Sequence, residues 1–242
     1  MKIGVAQNRP VKGNISENIE GHKKLIQLAV AFEAEALFFP ELSLTGYEPT
    51  LASQLVLNLE NQIFTELQNI SDTHKIRLGV GIPTRNSSGI CISMAMIQPK
   101  ANRYIHSKKY LHVDEEPYFV SGETATPMNV GDLNIGLAIC YEILVQQHTD
   151  AVFKNGANIY VASVAKTEAG AITAHERLSQ IAKTQSVYTL MANCVGPSDD
   201  FVSVGRSGIW SESGDLLVEL NDIDEGVLVL DTVTGEVFKK TL

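Results

Sequence analysis

Segments of two different hydrophobic periods alternate along this chain, and this alternation constrains the fold more than any other feature. Residues 2–7 alternate with a period of two, which predicts a strand, and residues 15–32 keep the spacing of an amphipathic helix. Residues 36–39 form a short apolar run typical of a buried strand, and residues 52–72 return to helical spacing. Strands that alternate with helices predict a protein of the α/β class.

In the middle of the chain, predicted strands follow one another without an intervening helix. Residues 76–82, 90–98 and 103–106 predict three strands, and the Asn-Ser-Ser-Gly sequence at residues 86–89 predicts a hairpin turn between the first two. Residues 108–130 have no clean period and are rich in proline, glycine and acidic residues, so we expect a long functional loop there.

The second half of the chain combines both patterns. Its predicted elements are strands over residues 133–139, 158–162, 187–193, 206–210, 216–220 and 226–231, and helices over residues 143–155 and 171–185. This mixture predicts a layered α/β fold that contains hairpins rather than a purely doubly wound parallel sheet. No repeat, low-complexity tract or linker divides the sequence, so we predict a single domain over residues 1–242.

Composition excludes several classes of function. The net charge of −9 argues against non-specific nucleic-acid binding. No apolar run approaches the roughly 18 residues that a membrane span needs. The three cysteines are too scattered for a disulfide framework, and no CxxC or HxxxH pair suggests a metal site. We therefore expect a cytoplasmic protein with free thiols, no metal, and neither nucleic acid nor membrane as a partner.

Cys140 is the most conspicuous candidate for chemistry. A near-continuous apolar strand ends at this residue, directly before a predicted helix. Ligands bind at the carboxyl ends of strands in open α/β sheets, and the N–H groups that begin a helix would lower the pKa of a thiol there. The competing interpretation is a buried structural cysteine, which is what we expect of Cys91 and Cys194 because no charged loop follows them.

Two other predicted strands are also followed directly by charged residues. Glu41 comes after a buried strand and a proline, where a raised pKa would suit a general base at neutral pH. Lys108 and Lys109 follow the strand over residues 103–106. Taken singly, the glutamate could cap a helix and the lysines could belong to a solvated face. Together with Cys140 they offer a thiol nucleophile, a base and a cation for an oxyanion.

Three segments that contain these residues resemble motifs of the nitrilase, or carbon–nitrogen hydrolase, superfamily. In chain order they are FFPELSLTGYEP, HSKKYLHVDEEPYFVSG and NIGLAICYEI. Weaker similarity in ANCVG and RSGIWSESGDLL extends the resemblance across nearly the whole chain. Three ordered motifs at suitable separations are a far more specific signal than any one of them alone.

The resemblance implies a four-layer αββα sandwich that assembles into homodimers or larger homo-oligomers. It also implies a cofactor-independent hydrolase that cleaves a non-peptide carbon–nitrogen bond of a small amide or carbamoyl amide. By the family pattern, Cys140 is the nucleophile that forms a thioester, Glu41 is the general base, and Lys108 stabilises the tetrahedral intermediate. The backbone N–H of Tyr141 would complete the oxyanion site.

The lysine is assigned by aligning the family's Lys-x-His-Leu motif on Leu111. This alignment selects Lys108 and makes Lys109 the variable residue, with Tyr110 where the family commonly has histidine. The sequence also departs from many amidases after the cysteine, where those proteins have an acid and then an Arg-Phe pair: residues 141–145 read Tyr-Glu-Ile-Leu-Val and contain no arginine.

The resemblance also suggests residues that bind substrate. Several family members carry a second glutamate near the lysine, for which Glu116 is the first candidate and Glu115 the next. Tyr47 and Tyr141 are further candidates for substrate contact. Loop position alone adds other residues that could line the pocket, namely Tyr118, Phe119, Lys166 and Trp210.

Three alternatives to an amidase remain open at this point. The same triad could hydrolyse a nitrile, although amide substrates dominate the superfamily. The chain could instead be a catalytically silent member of the fold that acts as a binding protein. The three loops could also be coincidental in a thiol enzyme with other partners. Lipoprotein N-acyltransferase and glutamine-dependent NAD synthetase roles are not expected, because these 242 residues show neither membrane helices nor a synthetase domain.

Overall fold

A computed structural model of the chain describes residues 1–123 and 128–242. The strands are β1 (Lys2–Gln7), β2 (Ala36–Phe38), β3 (Arg77–Arg85), β4 (Ile90–Ile97), β5 (Tyr104–Ser107), β6 (Met128–Val130), β7 (Leu133–Ile139), β8 (Ile159–Val164), β9 (Tyr188–Asn193), β10 (Val195–Ser198), β11 (Phe201–Val204), β12 (Gly208–Trp210), β13 (Leu216–Glu219), β14 (Gly226–Asp231) and β15 (Val237–Thr241). The α-helices are α1 (Ile15–Ala31), α2 (Ala52–Leu55), α3 (Gln62–His74), α4 (Gln146–Lys154) and α5 (Glu168–Gln185), and short 3₁₀ helices span Pro49–Leu51 and Cys140–Leu144.

Most of the strands belong to two mixed sheets. The first sheet has the order β15-β14-β1-β2-β3-β4-β5, and the second has the order β13-β12-β9-β8-β7-β6. The central strands β1, β2 and β3 are parallel neighbours, as are β7, β8 and β9. Strands β10 and β11 form a separate antiparallel hairpin. Each sheet has parallel strands in its centre and antiparallel hairpins at its edges, as expected for the predicted layered α/β fold that contains hairpins.

Three apolar clusters fill the spaces between four layers. The first lies between the two sheets and includes Val5 of β1 and Leu137 of β7. The second lies between the first sheet and helices α1 and α3, and includes Ala6 together with Phe64. The third lies between the second sheet and helices α4 and α5. Val5 and Ala6 join different clusters because successive side chains of a strand point to opposite faces. The layer order is αββα, which confirms the fold predicted from the resemblance.

The helix predicted over residues 52–72 is interrupted. Helix α2 ends at Leu55, and α3 begins at Gln62 after an N-cap at Asn61, whose side chain accepts the N–H of Ile63. Between them the N–H of Leu57 donates to the carbonyl of Pro83, 2.9 Å away. The apolar spacing continues across the gap, so hydrophobic period alone could not reveal this break.

Other differences occur at element ends and edges. The helix predicted over residues 143–155 starts as the 3₁₀ helix at Cys140, and α4 begins only at Gln146. The hairpin β10–β11 and the edge strand β15 were not predicted, since proline, glycine and exposed lysines mask their alternation. Within the predicted loop over residues 108–130, strand β6 occupies Met128–Val130, and residues 124–127 lie outside the described part of the chain.

The topology brings the ends of several strands to one region. Glu41 follows β2 in the first sheet, whereas Cys140 and Lys166 follow the parallel strands β7 and β8 in the second. The hydroxyl of Ser163 in β8 donates to the carbonyl of Phe39, 2.8 Å away, and so ties the two sheets together at these ends. The carboxyl ends of parallel strands are the usual place for a ligand site in α/β proteins.

Gly81 in β3 supports the loop that carries Glu41. A Cβ atom on this glycine would lie 2.3 Å from the carbonyl oxygen of Pro40 and 2.4 Å from the backbone nitrogen of Leu42. The backbone of Gly81 also accepts the N–H of Leu44 and donates to the hydroxyl of Ser43. The loop can therefore approach the sheet closely only where a side chain is absent.

Substitution of Gly81 by alanine tests this contact. We expect Gly81→Ala to lower the free energy of unfolding by about 3 kcal/mol or more, because the new methyl group meets backbone rather than a flexible side chain. Gly21→Ala is the matched control: it lies inside α1 with no neighbouring atom within 4 Å, and should stabilise by about 0.5–1 kcal/mol. Urea unfolding at neutral pH measures both, and equal stabilities for the two variants would contradict the proposed contact.

Candidate active site

The loop after β2 holds Glu41 inside the protein. The N–H of Phe39 donates to Gly79 at 2.8 Å and the N–H of Leu44 donates to Gly81 at 3.1 Å, so both sides of the loop are attached to β3. Leu42 adopts a positive φ of 51°, which turns the chain directly after the glutamate. The Glu41 side chain is fully buried, and its Oε2 atom accepts no hydrogen bond from the described residues.

Cys140 lies at a sharp turn between β7 and the 3₁₀ helix. Its φ is +49°, an unfavourable conformation for a residue with a side chain and one that is often found at functional sites. The Sγ atom lies 3.9 Å from the carbonyl oxygen of Ala165. Besides burial, the charge of Glu41 acts on this thiol and raises its pKa, whereas the charge of Lys108 lowers it. Cys91 and Cys194 are buried at other positions.

Lys108 connects the carboxylates of this region. Its backbone N–H donates to the carbonyl of Ile92 at 2.8 Å, which extends the pairing of β5 with β4 by one residue. Its Nζ atom donates to Oε1 of Glu41 at 2.8 Å and to Oε1 of Glu115 at 2.6 Å, and all three side chains are inaccessible to solvent. Lys109, the variable residue of the motif, is exposed.

Glu115, and not Glu116, is the second glutamate of the cluster. Besides Lys108, its Oε1 accepts the hydroxyl of Tyr47 at 3.1 Å, and its Oε2 accepts the N–H of His112 at 2.8 Å. Glu116 is exposed. The sequence analysis preferred Glu116 to Glu115, and this order was wrong. A tight turn that begins at His112 directs Glu115 into the protein and Glu116 to solvent.

Burial and neighbouring charges set the pKa values in this cluster. Burial raises the pKa of Glu41 to about 7, against the lowering effect of Lys108. Burial alone would lower the pKa of Lys108, but the charges of Glu41, Cys140 and Glu115 outweigh it and raise this pKa. At neutral pH the lysine is therefore a cation, and Glu41 lies near the midpoint of its titration.

The pKa of Cys140 differs from the sequence prediction. Burial, followed by the charge of Glu41, raises the pKa of the thiol to about 11, whereas Lys166 and Lys108 lower it by smaller amounts. The prediction that a helix start would lower this pKa was wrong. The helix is a short 3₁₀ turn, and desolvation beside a carboxylate has the larger effect. A neutral thiol needs a base to remove its proton during attack.

Glu142 was not identified from the sequence, although it holds two site loops together. Its Oε1 accepts the backbone N–H groups of Lys109 at 2.7 Å and Tyr110 at 3.3 Å, and its Oε2 accepts the N–H of Ile139 at 2.8 Å. The side chain is buried, and these bonds fix the loop of Lys108 against the turn of Cys140. The only feature of the sequence that could have pointed to Glu142 as a site residue is its position two residues after the candidate nucleophile.

A cavity of about 280 Å³ opens above Cys140. Its lining residues are Tyr47, His112, Asp114, Glu115, Cys140, Tyr141, Leu144, Ala165, Lys166, Thr167, Gly170 and Phe201. Three predicted pocket residues are absent from this lining: Phe119 belongs to the cluster between the sheets, Trp210 packs against α5, and Tyr118 is on the surface. Phe201 was missed because its strand, β11, was not predicted.

The described residues offer no other kind of site in this region. Among residues 1–123 and 128–242, no group of three or more histidine, cysteine or acidic side chains is placed to hold a metal ion. Within the same residues, no helix is long and apolar enough to cross a membrane. A half-buried thiol at the base of a small cavity, close to a buried carboxyl group and a buried ammonium group, is the arrangement that can do chemistry.

Comparison with known proteins agrees with the motifs. The sequence profile of the carbon-nitrogen hydrolase family matches residues 2–237. The chain belongs to this family. An (R)-stereoselective amidase from Pseudomonas sp. is 23% identical to this carbon-nitrogen hydrolase, in an alignment that covers 90% of the chain and 80% of the relative. The family predicted from the sequence is confirmed.

The fold of this carbon-nitrogen hydrolase is that of nitrilase-superfamily amidases. An amidase of that superfamily from Nesterenkonia AN1 superposes with a TM-score of 0.85 at 22% identity, covering 96% of this chain and 91% of the other. Glutamine-dependent NAD(+) synthetase from Thermotoga maritima is 22% identical over the whole chain, which spans 44% of that protein. The corresponding enzyme from Acinetobacter baylyi is 25% identical, and the chain spans 42% of it.

Proposed function

We propose that this carbon-nitrogen hydrolase cleaves the terminal C–N bond of a small amide through a thioester on Cys140. The observation that carries the proposal is the buried cluster in which Lys108 bonds to both Glu41 and Glu115, while Glu115 lines the same cavity as Cys140. A nucleophile, a base and a cation are the groups that acyl transfer to sulfur requires.

In the first half-reaction, the Sγ atom of Cys140 attacks the carbonyl carbon and Glu41 takes the thiol proton. The carbonyl oxygen becomes an oxyanion, which the ammonium group of Lys108 and the backbone N–H of Tyr141 stabilise. Glu41 then returns its proton to the amide nitrogen, the C–N bond breaks, and ammonia leaves. Among the described residues, the Oε2 atom of Glu41 has no hydrogen-bond partner and is available for this transfer, whereas its Oε1 atom already accepts from Lys108.

In the second half-reaction, water attacks the thioester carbon. Glu41 takes a proton from the water, the C–S bond breaks, and the thiolate of Cys140 recovers a proton from Glu41 as the carboxylic acid leaves. Glu115 does not exchange protons in this scheme. It shares Lys108 with Glu41, and the hydroxyl of Tyr47 and the N–H of His112 hold it in place.

The relatives support an amide as the substrate. Similar proteins are named amidases or glutamine-dependent NAD(+) synthetases, and glutamine is itself an amide. The cavity of about 280 Å³ has room for a small molecule only. Assembly into homodimers or larger oligomers, a cytoplasmic location and independence of any cofactor stay predictions from the family resemblance.

Ammonia release from a panel of small aliphatic amides and the matching nitriles tests the proposal. We expect the wild-type protein to release ammonia from one or more amides, and Cys140→Ala to release none because the thioester cannot form. Cys91→Ala removes a buried thiol elsewhere and should retain activity. If the protein consumed nitriles but no amides, it would be a nitrilase rather than an amidase. If it turned over neither class of substrate, the result would favour a catalytically silent binding protein.

A further inference from the structure

We propose that Lys166 binds a carboxylate of the substrate, so that the preferred substrates are amides that also carry a carboxylate group. This inference rests on the proposed amidase function and deepens it by naming a substrate class. Lys166 lines the cavity directly after Ala165, whose carbonyl oxygen is 3.9 Å from the Sγ atom of Cys140. Its positive charge is close enough to act on the thiol.

The backbone of Lys166 is fixed at both of its polar groups. Its N–H donates to the Oδ1 atom of Asn193 at 3.0 Å, and its carbonyl accepts the N–H of Val204 at 3.1 Å. The ammonium group therefore extends from a rigid base, as a specificity residue should.

Lys166 differs from the other charged residues of the cavity in lacking a counter-ion. Glu115 is bonded to the buried ammonium group of Lys108, and Asp114 lies 3.2 Å from a ring nitrogen of His112. In the part of the chain that the structure describes, no carboxylate oxygen lies within 4.0 Å of the Lys166 ammonium group. A half-buried cation that lines the same cavity as the candidate nucleophile can bind an anion.

The position of Lys166 also fixes the geometry of the substrate. The scissile amide must lie on Cys140 at the floor of the cavity, and the anionic group must reach a residue at its wall. A short linear chain with an amide at one end and a carboxylate at the other meets both demands. With a neutral amide bound, the ammonium group of Lys166 would stay hydrated by water and would form no charge-assisted hydrogen bond with the substrate.

Two amides of equal shape and different charge test the inference. Succinamate carries a carboxylate where 4-methylpentanamide carries an isopropyl group. We expect wild-type kcat/KM to be higher for succinamate, and Lys166→Met to lower it about 10- to 100-fold for succinamate, mainly through KM, while changing it little for 4-methylpentanamide. Lys166→Arg, which keeps the charge, should retain part of the preference.

Lys154→Met is the matched control, since it removes an exposed lysine at the end of α4. It should leave both substrates unaffected. Equal losses with both amides in Lys166→Met would mean that the lysine acts on the thiol and not on the substrate, and would overturn the inference. A wild-type enzyme that hydrolyses 4-methylpentanamide as well as succinamate would also overturn it, while leaving the proposed amidase function in place. Turnover of no amide at all would instead overturn the proposed function.

Discussion

Replacing Lys108 with methionine should lower kcat/KM by about a thousandfold or more. Removal of one oxyanion donor costs about 10²–10³-fold in enzymes that transfer acyl groups. A second effect adds to it here, because Lys108 is the cation that lowers the pKa of Glu41. Without it, two buried carboxyl groups face each other, and Glu41 stays protonated at neutral pH and cannot act as a base. Steady-state ammonia release by wild-type and variant proteins measures the loss.

The same substitution should destabilise the fold, since breaking a buried ion pair costs about 3–5 kcal/mol. Circular dichroism and thermal unfolding therefore accompany the kinetics, and Lys108→Arg provides a variant that keeps the buried charge but not its geometry. Lys109→Met is the control on the neighbouring, exposed residue and should retain activity. A folded Lys108→Met protein with activity near that of the wild type would exclude this lysine from the mechanism.

The second large effect concerns Glu41 and pH. A general base must be unprotonated, and burial raises the pKa of Glu41 to about 7. Wild-type kcat/KM should therefore fall about tenfold per pH unit below this value, and should level off above it. Glu41→Gln should lower the rate by about 10²–10⁴-fold and remove this limb of the profile, because glutamine does not titrate.

Glu116→Gln is the control for Glu41→Gln, because Glu116 is a carboxylate of the same region that is exposed to solvent. It should leave both the rate and the pH profile unchanged. A Glu41→Gln protein that retains the acidic limb would show that another group controls it. A wild-type profile that is flat between pH 5 and pH 8 would contradict the raised pKa.

The sequence could predict the fold and three candidate residues because both depend on local patterns. Apolar periods distinguish strands from helices, and the motifs around Glu41, Lys108 and Cys140 lie directly beyond strand ends. Glu41 and Lys108 follow strands of the first sheet, whereas Cys140 follows a strand of the second, and the packing of the two sheets brings these ends into one region.

What could not be predicted depends on contacts between distant segments. The choice of Glu115 over Glu116 follows from a turn that ends beside Lys108 and Tyr47. The role of Glu142 as a link between two loops requires knowing that residues 109 and 139 are neighbours. The raised pKa of Cys140 depends on how deeply the surrounding layers bury it, and no local rule expresses that burial.

The most direct test of the account is the mass of the protein quenched during turnover of an amide. We predict an increase equal to the acyl group of the substrate, located by peptide mapping on Cys140 and absent from Cys91 and Cys194. Treatment with hydroxylamine should remove it, as expected for a thioester. Steady amide hydrolysis by a Cys140→Ala protein, or an acyl group found on a different residue, would contradict the proposed nucleophile.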